Sequence, residues 1–284
     1  MTRMFRTTVG RGIRRAAKLI ARPILDLYHS VFAEVTYAPG GWRESGGWSD
    51  QGLADAQEKH WPILMRNLEG SGPLGVAHFP WHTTREDRAD HNVMMSYGYV
   101  LALAAGGERS LSILDWGGGV GQYLPYGRAL LPEVDFDYHC YDVPGLCQLG
   151  RRLQPGVHFS DEPAELLGRR YRLVISSSSL HYFKDWQREA GQLAAATADY
   201  LYIARLQVAE DSPTFAVVHR VQHDGYGEFP SWCINRRELI DCIEQCGLRL
   251  MREFVYYSPV TVRGISERMD CRGFLFRRSI ADEA

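Results

Sequence analysis

No stretch of the 284-residue sequence reaches about eighteen consecutive apolar residues, which excludes a membrane-spanning helix. The six cysteines (Cys140, Cys147, Cys233, Cys242, Cys246 and Cys271) form no C-x-x-C pair, so neither a zinc site nor a disulfide framework is indicated. They read as small buried hydrophobes in a reducing compartment, and the chain is expected in the cytoplasm with no metal. Repeats and low-complexity segments are missing too. With 45% apolar and 23% charged residues, the composition is that of a folded globular chain rather than a disordered one. Acids are lacking at the start: Arg3, Arg6, Arg11, Arg14, Arg15, Lys18 and Arg22 precede the first of them, Asp26. Since the formal net charge is only -2, the remainder is distinctly acidic, which argues against a general nucleic-acid binder.

The length suits one large domain or two modest ones. Apolar residues at Ile13, Ala17, Ile20, Ile24, Leu27, Tyr28 and Val31 have helical spacing, interrupted by Pro23. A Gly- and Trp-rich loop follows, from Ala38-Pro39-Gly40-Gly41-Trp42 to Gly46-Gly47-Trp48. Helices are expected over about 51–69 and 85–105, the second closed by Gly106-Gly107. From Ser110 the texture changes to short apolar runs alternating with helical patterns. Strands are expected at 111–115, 136–141, 157–159, 171–176 and 200–206, with a helix over 185–196. Asn235 caps a last helix that Gly247 stops, and strands at 248–257 and 271–278 follow. Alternation of this kind specifies an α/β domain over 108–284, with residues 1–107 as a mostly helical extension.

The run Asp115-Trp116-Gly117-Gly118-Gly119-Val120-Gly121 follows the first strand and opens a helix, where an open α/β sheet binds its ligand. Glycines let backbone amides approach a ligand, and the helix start offers unpaired N–H groups. A dinucleotide fingerprint requires G-x-G-x-x-G/A, but the sixth position is Gln122 counted from Gly117 and Leu124 counted from Gly119. The acid with three alternating glycines resembles instead the first motif of class I S-adenosylmethionine-dependent methyltransferases. In that family the acid and the glycine-loop backbone surround the methionine part of the cofactor.

The resemblance implies a Rossmann-like, mostly parallel sheet of seven strands with an N-terminal helical extension. It also implies S-adenosyl-L-methionine as cofactor and S-adenosyl-L-homocysteine as product. Asp142, 21 residues after Gly121 at the end of the second strand, is placed to accept both ribose hydroxyls, with Val143 beside it. A helix N-cap before Pro144 is the structural alternative for Asp142. Ser176, Ser177, His181 and Tyr182 end the fourth strand beside the glycine loop, in a stretch that looks like the fourth motif of small-molecule methyltransferases. Asp161 falls where that family often contacts the adenine amine, or else caps the short helix at 163–167. Gly41-Trp42 to Glu69, the glycine loop, Leu180-His181-Tyr182 and Phe229-Pro230-Ser231-Trp232-Cys233 together resemble a group of bacterial methyltransferases, some encoded among surface-polysaccharide genes. A sugar or lipid-linked sugar is the acceptor this suggests.

A hydroxyl acceptor must lose its proton, and His181 is the candidate base, the alternative being a hydrogen-bonded histidine under the next helix. Tyr182 either orients the acceptor or packs. The insert between the fifth strand and the last helix, with His223, Tyr226, Glu228 and Trp232, suits an acceptor lid or a loop covering a sheet edge. Residues 79–99, among them His82, Arg85, His91 and Tyr97, can close the other side. The Arg-rich start reads first as a solvated face of a packing helix, then as a peripheral membrane contact, then as a transit peptide. Two other readings compete: an NAD(P) oxidoreductase, disfavoured by the glycine spacing, and an inactive scaffold, which has no need of Asp115, Gly117, Gly119, Gly121 and Asp142 together.

Overall fold

The computed structural model describes residues 35–43, 50–74, 88–220 and 228–279; the basic N-terminal segment lies outside them. Strand β1 (Val35–Tyr37) is followed by α1 (Asp50–Leu68) and α2 (Arg88–Ala105). Then come β2 (Ser110–Trp116), α3 (Tyr123–Leu130), β3 (Asp135–Tyr141), α4 (Pro144–Leu153), β4 (His158–Ser160), α5 (Pro163–Leu167) and β5 (Tyr171–Ser177). A 3₁₀ turn over Leu180–Tyr182 leads to α6 (Trp186–Ala196) and β6 (Thr197–Ala209). The chain ends with β7 (Phe215–Arg220), β8 (Glu228–Asn235), α7 (Arg236–Gln245), β9 (Leu248–Thr261) and β10 (Arg268–Arg278). No helix among the described residues is long and apolar enough to cross a membrane.

The main sheet runs β4-β3-β2-β5-β6-β10-β9, with β10 antiparallel to both neighbours. These are the seven strands expected. Central strands of such a sheet are covered on both faces, and alternate residues of β2 show it. Leu111 and Ile113 join one apolar core, with Met94, Tyr97 and Leu101 of α2. Leu114 and Trp116 join the other, with Trp186 and Leu193 of α6 and Leu239 of α7. Side chains fix the helix starts as read: Asp185 accepts from the Arg188 N–H, and Asn235 from those of Arg237 and Glu238. The Glu238 carboxylate accepts from the Thr214 N–H.

Three strands were not anticipated. β1, β7 and β8 form an antiparallel ribbon that joins the main sheet where Val208 and Ala209 of β6 pair with Ile234 and Asn235. The insert read as one long loop is therefore largely a β-hairpin. Val35 and Tyr37, far earlier in the chain, pack with Phe215, Val217 and Met269. β1 has three residues and a partner far along the chain, so it carries too little periodicity to be read locally.

Candidate functional site

In sheet order β3 and β5 flank β2, so the chain departs in opposite directions from β2, and a crevice opens at the carboxyl ends of these strands. The loop after β2 lines it. Gly117, Gly119 and Gly121 adopt φ of 72, 62 and 74°, the left-handed region that side chains disfavour, which accounts for the alternating spacing. Gly118 is held by space instead: a Cβ there would lie 2.3 Å from Asp115 Oδ2.

Asp142 ties the loop to the end of β3. Its Oδ2 accepts from the Gly119 N–H at 2.7 Å and its Oδ1 from the Val143 N–H at 2.8 Å. Asp142 is not the cap of α4; that position belongs to Val143, which has no side-chain cap bond. The Gly117 and Gly118 N–H groups donate to the Tyr141 carbonyl, and the Tyr141 ring stacks on Trp116 at 3.9 Å.

Asp115 lies under the loop, fully buried, with Oδ2 accepting from the Tyr138 hydroxyl at 2.5 Å and Oδ1 without a hydrogen-bond partner. Burial pushes its carboxyl from 3.8 up to about 7, against the Tyr138 hydrogen bond and with help from the Asp142 charge. Asp161, beyond β4, lies 3.7 Å from Arg151 and is partly exposed; the cap of α5 is Glu162. The Ser176 hydroxyl meets that of Ser179, which donates to the Trp116 carbonyl, while Ser177 meets the Tyr123 hydroxyl at 2.7 Å. These serines lock the end of β5 to the glycine loop.

No family model matches the chain, and no curated protein does. Solved structures do match. A proposed sarcosine dimethylglycine methyltransferase from Galdieria sulphuraria superposes with a TM-score of 0.50 at 12% identity, over 79% of this chain and 98% of its own. An S-adenosylmethionine-dependent methyltransferase from Methanosarcina mazei gives 0.45 at 15% identity, over 61% and 94%. The 1,6-didemethyltoxoflavin N1-methyltransferase of Burkholderia thailandensis, solved with S-adenosylhomocysteine, gives 0.44 at 17%, over 78% and 90%. The fold is that of the S-adenosylmethionine-dependent methyltransferases. At such identities the likeness concerns the fold alone, and the first of the three carries it.

Within this methyltransferase fold, His181 sits in the 3₁₀ turn with 2% of its surface exposed and Nδ1 lacking a hydrogen-bond partner. Burial, assisted by nearby His219, lowers its imidazole from 6.5 to about 3. It is therefore neutral across the physiological range, and a titration near neutrality is not expected from it. Its ring lies 4.1 Å from that of Tyr182, which in turn meets the edge of Phe229. Phe229 stacks on His219, whose Nε2 pairs with the Ser231 hydroxyl. Trp232 stacks on Trp42 at 5.3 Å and donates to the Phe183 and Lys184 carbonyls, so two separate segments of the sequence resemblance meet. Glu228 opens β8 at the surface. Tyr226, His223, His82 and Arg85 lie outside the described residues. His91 Nδ1 pairs with the Leu74 carbonyl at 3.0 Å.

Two residues escaped the sequence reading. Gln57 of α1 reaches over the loop: a Cβ on Gly119 would lie 2.9 Å from its Nε2, and its Oε1 is buried without a partner. With His60, Trp61, Leu64, Val120 and Gln122 it lines a small cavity. The detectable signal was the row Gln57, Trp61 and Leu64, in which an amide shares a helix face with apolar residues. The other is Arg205, a charge in the middle of the apolar run from Tyr200 to Val208.

Proposed function

We propose that this chain is an S-adenosylmethionine-dependent methyltransferase acting on a small polar acceptor, a sugar-like hydroxyl compound fitting best, and not on nucleic acid. The observation that carries the reading is the loop over 117–121 with Asp142 bonded to its centre. Backbone amides, left-handed glycines and a carboxylate converge at the carboxyl ends of β2 and β3.

Asp142 would receive the ribose hydroxyls, the loop backbone and Gln57 the amino-acid end, and Asp161 the adenine edge. When bound, S-adenosylmethionine supplies a methyl group made electrophilic by the sulfonium. The protein's share is to hold an acceptor oxygen in line at roughly 3 Å and exclude water. His181, kept neutral by burial, suits hydrogen bonding to an acceptor hydroxyl better than storing its proton.

Calorimetry with S-adenosylhomocysteine, S-adenosylmethionine, NAD and NADP tests the reading. Micromolar affinity for the first two and none for the nicotinamides is expected; tight NAD binding alone would refute it. Asp142→Ala should weaken S-adenosylhomocysteine by about 2–3 kcal/mol, the loss of two hydrogen bonds to a charged acceptor. A melting curve for the same variant separates this loss from weakening of the loop, since Asp142 also fastens Gly119 and Val143.

A further inference from the structure

Strand β6 contains an irregularity beside the crevice. Arg272 of β10 faces Leu206, yet Phe274 faces Ile203, so Ala204 and Arg205 together oppose Gly273. This is a β-bulge, and Arg205 occupies it with φ of 54°, a left-handed conformation that ordinarily selects glycine. Ser178 is the other non-glycine residue with positive φ among the described residues. The two are neighbours, since the Ser178 N–H donates to the Ala204 carbonyl at 2.9 Å. Bulges re-aim side chains next to active sites, and retained backbone strain clusters there. The bulge also changes the phase of the strand: Tyr202 and Ala204 face the α2 side, whereas Leu206 and Val208 face the opposite core. Arg205 and Gln207 are thereby brought onto the α2 side.

Both carry buried polar atoms that lack hydrogen bonds, Arg205 Nη1 and Gln207 Oε1. Asp90 at the start of α2 approaches that nitrogen only to 3.7 Å. Arg205 is also near enough to the Tyr123, Tyr182 and Tyr202 hydroxyls and the Cys271 thiol for its charge to oppose the rise that burial causes in each. Ala204, next to Arg205, pairs with Ser177 at the end of β5, which puts the bulge at the ligand end of the sheet. Buried polar atoms are almost always partnered, so an orphan donor and an orphan acceptor two residues apart require an explanation.

We propose that Arg205 and Gln207 form the acceptor subsite, and that it takes a small hydroxy-carboxylate such as a uronic sugar. The guanidinium would receive the carboxylate and the Gln207 amide oxygen a hydroxyl proton. Asp90 offsets part of the arginine charge, so a monoanion balances the site better than a dianionic phosphate. Calling this an acceptor subsite rests on the methyltransferase reading; the anion recognition does not.

The test uses the full chain, with and without S-adenosylhomocysteine, titrated with D-glucuronate, D-glucose and inorganic phosphate. Glucuronate should bind at millimolar concentrations and at least tenfold more tightly than glucose or phosphate. Arg205→Gln and Arg205→Gly should each weaken it tenfold or more while S-adenosylhomocysteine affinity stays within twofold. Arg205→Gly should also raise the melting temperature by about 2–4 °C, because glycine relieves the left-handed strain. A purely structural arginine predicts the reverse, a lowered melting temperature. Equal binding of glucose and glucuronate, phosphate binding as tightly as glucuronate, undiminished glucuronate binding by either variant, or a lowered melting temperature for Arg205→Gly overturns the proposal. Failure of the wild type to bind S-adenosylhomocysteine would instead sink the methyltransferase reading, leaving the anion titration to stand by itself.

Discussion

Asp115→Asn should become progressively more stable than the parent chain as pH rises from 5 to 8. The Asp115 carboxyl is fully buried, and burial raises it to about 7 from 3.8. In the unfolded chain it ionises near pH 4. Between pH 4 and 7 the native protein thus retains a proton that the unfolded chain has released, so parent stability falls as pH rises through that window and levels off above it. At about 1.4 kcal/mol per pKa unit, the full penalty is on the order of 4 kcal/mol, of which about 2–3 kcal/mol develops between pH 5 and 8. Asparagine keeps an acceptor for the Tyr138 hydroxyl but carries no charge. Its new amide hydrogens need partners, which costs about 1–3 kcal/mol at every pH and displaces the curve without changing its slope. Urea unfolding of both proteins at unit pH steps measures the difference directly. A difference constant to within about 0.5 kcal/mol from pH 5 to 8 would show that the carboxyl is already ionised in the native state, and the burial argument would fail.

Gly119→Ala should cost about 1–2 kcal/mol by thermal unfolding, since φ of 62° disfavours any Cβ, and should abolish S-adenosylhomocysteine binding by displacing Gln57; unchanged affinity would place the ligand elsewhere. For His181 the sign is opposite to that for Asp115. Its imidazole is lowered to about 3, so the unfolded chain binds a proton that the native state refuses, and stability is lost as pH falls below 6.5. From pH 7 to 5 that loss is about 2 kcal/mol, and His181→Gln should not show it; parallel pH curves for the two proteins would mean that the imidazole is hydrated.

The seven strands of the main sheet, the glycine loop and its Asp142 partner were legible in the sequence, whereas β7 and β8 were not. Periodicity, caps and glycine spacing are local properties, set within a few residues of where they act. Asp142 was readable because a βα unit brings the end of its second strand beside the first turn at a nearly fixed sequence distance. What the side chains do there is a different matter. Asp115 and His181 look like ordinary ionisable residues in the sequence, and only the segments packed around them decide that one is held near 7 and the other near 3. Gln57 meets Gly119 across 62 residues, Trp42 meets Trp232 across 190, and Arg205 faces Asp90 across 115. No local pattern encodes such meetings. The sequence by itself determined a glycine-loop crevice in an α/β sheet; the desolvation of its acids and bases, and the bulge that turns Arg205 toward α2, came only with the tertiary packing, because burial and strand register are properties of the assembled layers.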